Sequence, residues 1–184
     1  LPESDWALGN PSEALFPGQW RQNNVPKNVR EGAPTARQLP GALAQWSQAY
    51  GGLRRGELQL VGMAAAHHRL RWLQPFPDGN GRVARLHTHL VLAHLGLGNG
   101  LWSPLRGFAR SQATYQALLA GADAPRQGAR DGRGPLSEAG LVAWTDYVLT
   151  QCLEQVQLIA QLLDPEGMKD RLAACLAYEQ QVVK

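Results

Sequence analysis

Residues 74 to 82 read Gln74-Pro75-Phe76-Pro77-Asp78-Gly79-Asn80-Gly81-Arg82, with Arg85 one helical turn further on. One carboxylate, two glycines, an amide and two guanidiniums are the groups that hold a polyphosphate and its metal ion. Gly79 and Gly81 lack a Cβ, so the backbone can turn sharply and approach a phosphate closely. Arg82 and Arg85 are three residues apart, hence on one helical face, and can fork onto phosphate oxygens. Asp78 suits Mg²⁺, a hard cation that takes one or two carboxylates together with phosphate oxygens. The first residue of the run, Gln74, is a carboxamide with no basic lone pair.

Two plainer readings compete. Asp-Gly-Asn-Gly also occurs in calcium loops of the EF-hand type. Aligning Gly81 with the invariant glycine of that loop puts Phe76 and His87 at its first and last ligand positions, where carboxylates are required. Asp, Gly and Asn are also ordinary turn residues, so a plain interhelical turn stays open on the loop alone.

Helices must position this loop. Leu60, Met63, His67, Leu70 and Leu73 recur at helical spacing and predict a helix from about Gly56 to Leu73, which Pro75 and Pro77 then stop. Val83, Leu86, Leu90, Ala93 and Leu97 predict the apolar face of a second helix ending near Gly96 or Gly98. The loop then lies at a helix mouth, where free N–H groups and the helix dipole favour an anion. Leu39 to Tyr50 reads as a short helix with Leu43, Trp46 and Tyr50 on one face. Ser103-Pro104 opens another, running to about Ala120. The stretch from Gly121 to Pro135 holds four glycines and two prolines and reads as an exposed loop. A long helix follows from about Ser137 to Leu163, with Trp144, Val148, Cys152, Val156, Ile159 and Leu163 as its stripe. Asp164-Pro165-Glu166 caps a last helix that carries Leu172, Cys175, Leu176 and Val183. The expected fold is all-α, with residues 1–36 as loops and a small hairpin, 37–163 as the helical core and 164–184 as a terminal helix.

At 184 residues, 44% hydrophobic and 18% charged, the chain has the composition of one globular domain. A net charge of +3 without a Lys/Arg run marks neither a nucleic-acid groove nor a membrane-binding face. Arg69, Arg71, Arg82, Arg85, Arg106 and Arg110 instead scatter around the loop and its flanking helices. Cys152 and Cys175 both stand on apolar stripes, which suggests buried thiols rather than a disulfide. His87 and His89 point to opposite sides of a helix, and no zinc spacing occurs. No signal peptide or membrane span is readable, so a cytoplasmic location is expected. The chain opens on Leu1, as a fragment or a processed form would.

Pro-Phe-x-Asp-Gly-Asn-Gly-Arg-x-x-Arg, from Pro75 to Arg85, resembles the signature of the Fic (Fic/Doc) family, whose enzymes move AMP from ATP to a hydroxyl of a target protein. The likeness reaches from roughly residue 12 to 163. Ala64 to Leu70 is similar to a central family helix, and 101–119 to the helix that follows. Pro17-Gly18-Gln19-Trp20-Arg21, with Val25 and Val29, is similar to the segment leading into the family's β-hairpin flap. The resemblance implies a Fic-like helical bundle using ATP and Mg²⁺. Asp78 would ligate the metal; Gly79, Asn80 and Gly81 would form the anion hole; Arg82 and Arg85 would hold the outer phosphates; Phe76 would anchor the loop in the core. Tyr115 would lie near the base or ribose. A flap within Asn23 to Pro34 would clamp the nucleotide and dock an extended target segment by strand addition. Gly81 stands where the Doc-like phosphotransferase branch tends to carry lysine, which favours AMP transfer. Neither Thr150 to Glu154 nor Glu166-Gly167 completes the family's inhibitory motif.

Gln74 is the departure, because the family has its base histidine there. Imidazole takes a proton near neutral pH and a carboxamide does not. Three explanations stand open from the sequence: an engineered change, a natural nucleotide-binding protein without turnover, or another base. His67 and His68 are the nearest substitutes, although His67 lies roughly 10 Å from Gln74 at the helical rise per residue.

Overall fold

The computed structural model describes residues 18–25, 32–52, 56–97 and 100–182. Among them run seven helices: α1 Leu39–Gly51, α2 Glu57–Leu73, α3 Asn80–His94, α4 Pro104–Arg110, α5 Gln112–Asp123, α6 Glu138–Leu162 and α7 Pro165–Val182. The described residues form no sheet, only the isolated bridges Pro125–Leu136 and Arg133–Leu136. The all-α expectation holds. The β-hairpin flap is not seen: residues 26–31 of the expected segment lie outside the described residues, and 23–25 and 32–34 carry no strand.

The centre of the bundle is α2, which packs against α1, α3, α5 and α6. Met63, His67, Leu70 and Leu73 are buried as their spacing predicts. Trp144 of α6 is fully buried and donates its indole N–H to the Ala64 carbonyl at 2.8 Å. Around it gather Phe108, Tyr115, Tyr147 and His67, with ring centroids 5.2–6.2 Å from its own. These aromatic side chains contribute much of the buried area that holds α4, α5 and α6 on α2. Between α5 and α6 the backbones nearly touch at Gly140, where a Cβ would overlap the Gly121 carbonyl. Glycine is required there by close approach, since its neighbour is backbone and cannot move aside.

His67 is locked in this core, so it cannot be the substitute base. Its Nδ1 lies 2.7 Å from the Thr88 hydroxyl and its Nε2 2.9 Å from the Tyr115 hydroxyl. Thr88 gives its own proton to the Ala84 carbonyl at 3.1 Å. It must therefore accept from Nδ1–H, leaving Nε2 as the acceptor from Tyr115. Burial, then the charge of Arg71, drives the imidazole pKa from 6.5 down to about 3. The ring is neutral in the fold but protonates near pH 6.5 when unfolded. Folding stability should thus fall as pH drops from about 6.5 towards about 3, by up to about 1.4 kcal/mol per pH unit from this residue. Urea titrations at pH 7, 5.5 and 4.5 read the slope, and His67→Phe should flatten it. An unchanged slope in that variant would show that the acid sensitivity arises elsewhere. His68 ties α2 to α5 through a 2.8 Å contact with Asp123.

Four expectations need correction. In α3 the buried residues are Asn80, Ala84, Thr88 and Leu92, whereas Leu86, Leu90, Ala93 and Leu97 face outward. The small residues win because they let α3 approach α2 closely enough for the Thr88–His67 contact. The helix predicted from Ser103 is broken at Ser111, whose backbone leaves the helical region at φ −116°, ψ 42°. Its hydroxyl donates to the Gly107 carbonyl at 2.8 Å and accepts from Tyr147 at 2.7 Å, which satisfies the polar groups at the break. Cys152 is buried as expected, with its thiol pushed up to about 11 by desolvation, but Cys175 is exposed. The α6 stripe also fades, since Val156 and Leu163 are exposed.

The cap read from the sequence at Asp164 is present, and Ser137 provides a second. Ser137 accepts from the Gly140 N–H at 3.0 Å and starts α6. Asp164 accepts from the Gly167 N–H at 2.9 Å and starts α7. The glycine-rich loop before α6 is organised by Asp131, which accepts from the N–H groups of Gln127, Glu138 and Ala139. Those bonds stabilise the carboxylate and hold its pKa at about 2.

Candidate functional site

α2 ends where Gln74 turns into the left-handed region, φ 48° and ψ 60°, with its N–H on the Leu70 carbonyl. Among the described residues it is the one non-glycine with positive φ. Such a conformation costs on the order of 1–2 kcal/mol and persists only where surrounding contacts enforce it. Two residues enforce it here, Asn80 and Arg21.

Asn80 is buried at the start of α3 and staples the loop across its width. Its Oδ1 accepts from the Phe76 N–H at 2.9 Å, and its Nδ2 donates to the Phe76 carbonyl at 2.7 Å. With the amide so oriented, Nδ2 also donates to Gln74 Oε1 at 2.9 Å. The carboxamide oxygen of Gln74 is thus already engaged, and its NH₂ is the end left to face a ligand. Gln74 therefore faces the hollow as a donor.

Arg21 holds the loop from outside. Its backbone N–H bonds the Pro75 carbonyl at 2.9 Å, and its Nε donates to the Gln74 carbonyl at 2.7 Å. The same guanidinium donates to the carbonyls of Asn23 and Pro34. Both ends of the stretch from Asn23 to Pro34 are therefore tied through Arg21 to Gln74. Arg21 is only 5% exposed, and burial lowers its pKa from the ordinary arginine value. Arg21→Ala would strand several carbonyls without a donor, at a cost of about 2–3 kcal/mol. The checking measurement is urea unfolding together with hydrogen exchange. Faster exchange should appear at Phe76 and along the start of α3, whereas unchanged exchange would show the loop holds itself.

The loop closes on an open hollow of about 350 Å³ lined by Arg71, Gln74, Pro77, Asp78, Gly79, Asn80, Gly81, Arg82 and Arg85. Gly79, at φ 77°, is the N-cap of α3 and adds no side-chain cap, so the first-turn N–H groups stay available to an anion. Arg82 pairs with Asp78 at 3.2 Å in a solvent-exposed i,i+4 contact, worth well under about 1 kcal/mol and easily exchanged. Asp78 stands without a cluster: among the described residues no three His, Cys, Asp or Glu side chains could hold a metal together. A magnesium ion here would take most of its ligands from phosphate and water, which is how that ion usually binds.

Nearly all the residues singled out in the sequence meet in this hollow: Gln74, Asp78, Gly79, Asn80, Gly81, Arg82 and Arg85. Tyr115 does not. It is 2% exposed inside the aromatic core, bonded to His67, and cannot reach a base or ribose at the loop. Phe76 is only half-buried, and the anchoring falls instead to Pro75 and Asn80, which are buried. Two arginines gain roles that no motif marked. Arg21 stood in the stretch resembling the lead-in to a flap, and Arg71 was one of several scattered arginines.

Residues 6–92 match the model of the Fic/DOC family. Over those residues, just under half of its length, the chain is similar to that family. The match spans the whole hollow, from Arg71 to Arg85, as well as Arg21. Residues 93–163, where the sequence suggested the same likeness, lie beyond it. No curated protein matches the chain. Within the matched residues, Asn80 directs the amide of Gln74.

Proposed function

We propose that the hollow binds ATP through its phosphates in the manner of a Fic-type adenylyltransferase, and that AMP transfer to a protein hydroxyl is curtailed at the base step. The observation that carries this is the combination in one hollow of an uncapped helix N-terminus, three arginines and Gln74 with its oxygen engaged by Asn80. The N–H groups of the first turn of α3 receive the α- and β-phosphates, and Arg82 and Arg85 draw on the outer oxygens. Asp78, whose contact with Arg82 is exposed, would hold magnesium, and the ion would supply charge neutralisation along the phosphates. The acceptor hydroxyl arrives on a target segment docked along residues 23–34, whose ends Arg21 fastens to Gln74. Stabilisation of the phosphate charge is then available, but the hydroxyl meets an amide donor in place of a base.

A second reading, a Fic fold that grips nucleotide without turnover, draws on the same engagement of Gln74. Both readings require nucleotide binding, so calorimetry with ATP, with and without magnesium, is the first test. Adenosine should bind far more weakly than ATP, because the recognition falls on phosphate. Equal affinity for the two, or none for ATP, would sink the reading.

A further inference from the structure

Arg71 lies one turn before Gln74 on α2, outside the loop motif, yet its guanidinium reaches the floor of the hollow. The position a Cβ would take on Gly81 is 3.3 Å from Arg85 Nη1 and 3.5 Å from Arg71 Nη1. Two guanidiniums from different helices thus converge on one point beside the loop. Among the described residues the one ion pair at the hollow joins Arg82 to Asp78, and no carboxylate pairs with Arg71 or Arg85. Arg71 Nε is moreover buried without a hydrogen-bond partner. Like charges held together without a counter-charge repel, and a half-buried guanidinium with an unused donor is costly. An anion seated between the two Nη1 atoms supplies the missing counter-charge.

We propose that Arg71 and Arg85 form a seat for the terminal phosphate of a triphosphate, so that Arg71 sets a preference for three phosphates over two. The inference rests on the ATP reading of the hollow for its biological ligand but not for its chemistry, which is that of a condensed phosphate. Phosphates along the α3 N-terminus engage backbone N–H groups and Arg82, while a further phosphate reaches the pair deeper in the hollow. Gly81 leaves the space between the two guanidiniums open, since any side chain there would enter it.

The test is calorimetric titration of the full chain with sodium tripolyphosphate, pyrophosphate and ATP, repeated on Arg71→Gln and Arg71→Lys. The expected result is that Arg71→Gln weakens tripolyphosphate about tenfold, consistent with loss of a charge-assisted bond, and pyrophosphate by less. Arg71→Lys should recover part of the loss, which a purely structural role of Arg71 would not predict for the longer phosphate alone. Melting temperatures of the variants confirm that each is folded. If the native chain does not bind tripolyphosphate, or if Arg71→Gln weakens both phosphates equally or neither, the seat does not exist. If tripolyphosphate binding depends on Arg71 while ATP fails to bind, the seat stands and the nucleotide reading falls.

Discussion

Gln74→His is expected to raise transfer of labelled AMP from α-labelled ATP to protein by about 10²- to 10⁴-fold, the usual contribution of a positioned general base. The geometry favours the exchange. Histidine adopts positive φ more readily than most residues, so the backbone at φ 48° would accept it. Arg21 would still hold the residue 74 carbonyl, and Asn80 would still be fixed by Phe76, so the loop backbone would be kept. To act as a base the imidazole must turn its unprotonated nitrogen to the hydroxyl and keep its N–H on the other, so it gives up the bond that Asn80 Nδ2 makes to Gln74. Affinity for ATP should change little, because the phosphate-binding groups are elsewhere. The measurement is incorporation of label into the protein itself and into a lysate, with both chains side by side. Transfer by the unaltered chain at the rate of the variant would show that Gln74 does not limit the reaction. Absence of transfer by both, with ATP bound, would favour the binding module.

Trp144→Ala should cost about 3–5 kcal/mol, a large part of the roughly 5–15 kcal/mol that holds a domain of this kind together. Trp144 is fully buried, and its indole N–H bonds the Ala64 carbonyl 80 residues away in sequence. Removing it opens a cavity among Phe108, Tyr115, Tyr147 and His67, which come from three other helices as well as α6. The helices cannot collapse into that space while α5 and α6 are already in backbone contact at Gly140. A fall of roughly 10–15 °C in melting temperature follows. Trp144→Phe keeps most of the ring contact and loses the bond to Ala64, so its loss should be about 1–2 kcal/mol. A cost below about 1 kcal/mol for Trp144→Ala would mean that the aromatic cluster is not what joins the helices.

The sequence by itself determined the local features, because their causes are local. Glu57–Leu73 is a helix through its apolar spacing, and Pro75 stops it. Ser137 and Asp164 start helices because a side-chain oxygen satisfies a nearby N–H. The anion-ready loop from Asp78 to Arg85 follows from residue types within one turn of each other, so seven of the eight residues read as site residues do meet in the hollow.

Only the tertiary structure decided which surfaces meet. The leucines of α3 form a good apolar stripe, yet Ala84 and Thr88 face α2, since close approach of two helices selects small side chains over large ones. Tyr115 could have served a ligand or a core; its bond to His67, 48 residues away, makes it core. Arg21 and Arg71 are unremarkable in sequence, and each acts through partners distant along the chain: Gln74 and Pro75 for Arg21, Gly81 and Arg85 for Arg71. Gln74 shows both limits. Its inability to act as a base is a property of the carboxamide, legible from one residue. Its left-handed backbone and engaged oxygen come from Arg21 and Asn80, and only the packing of α2 against α3 brings those together.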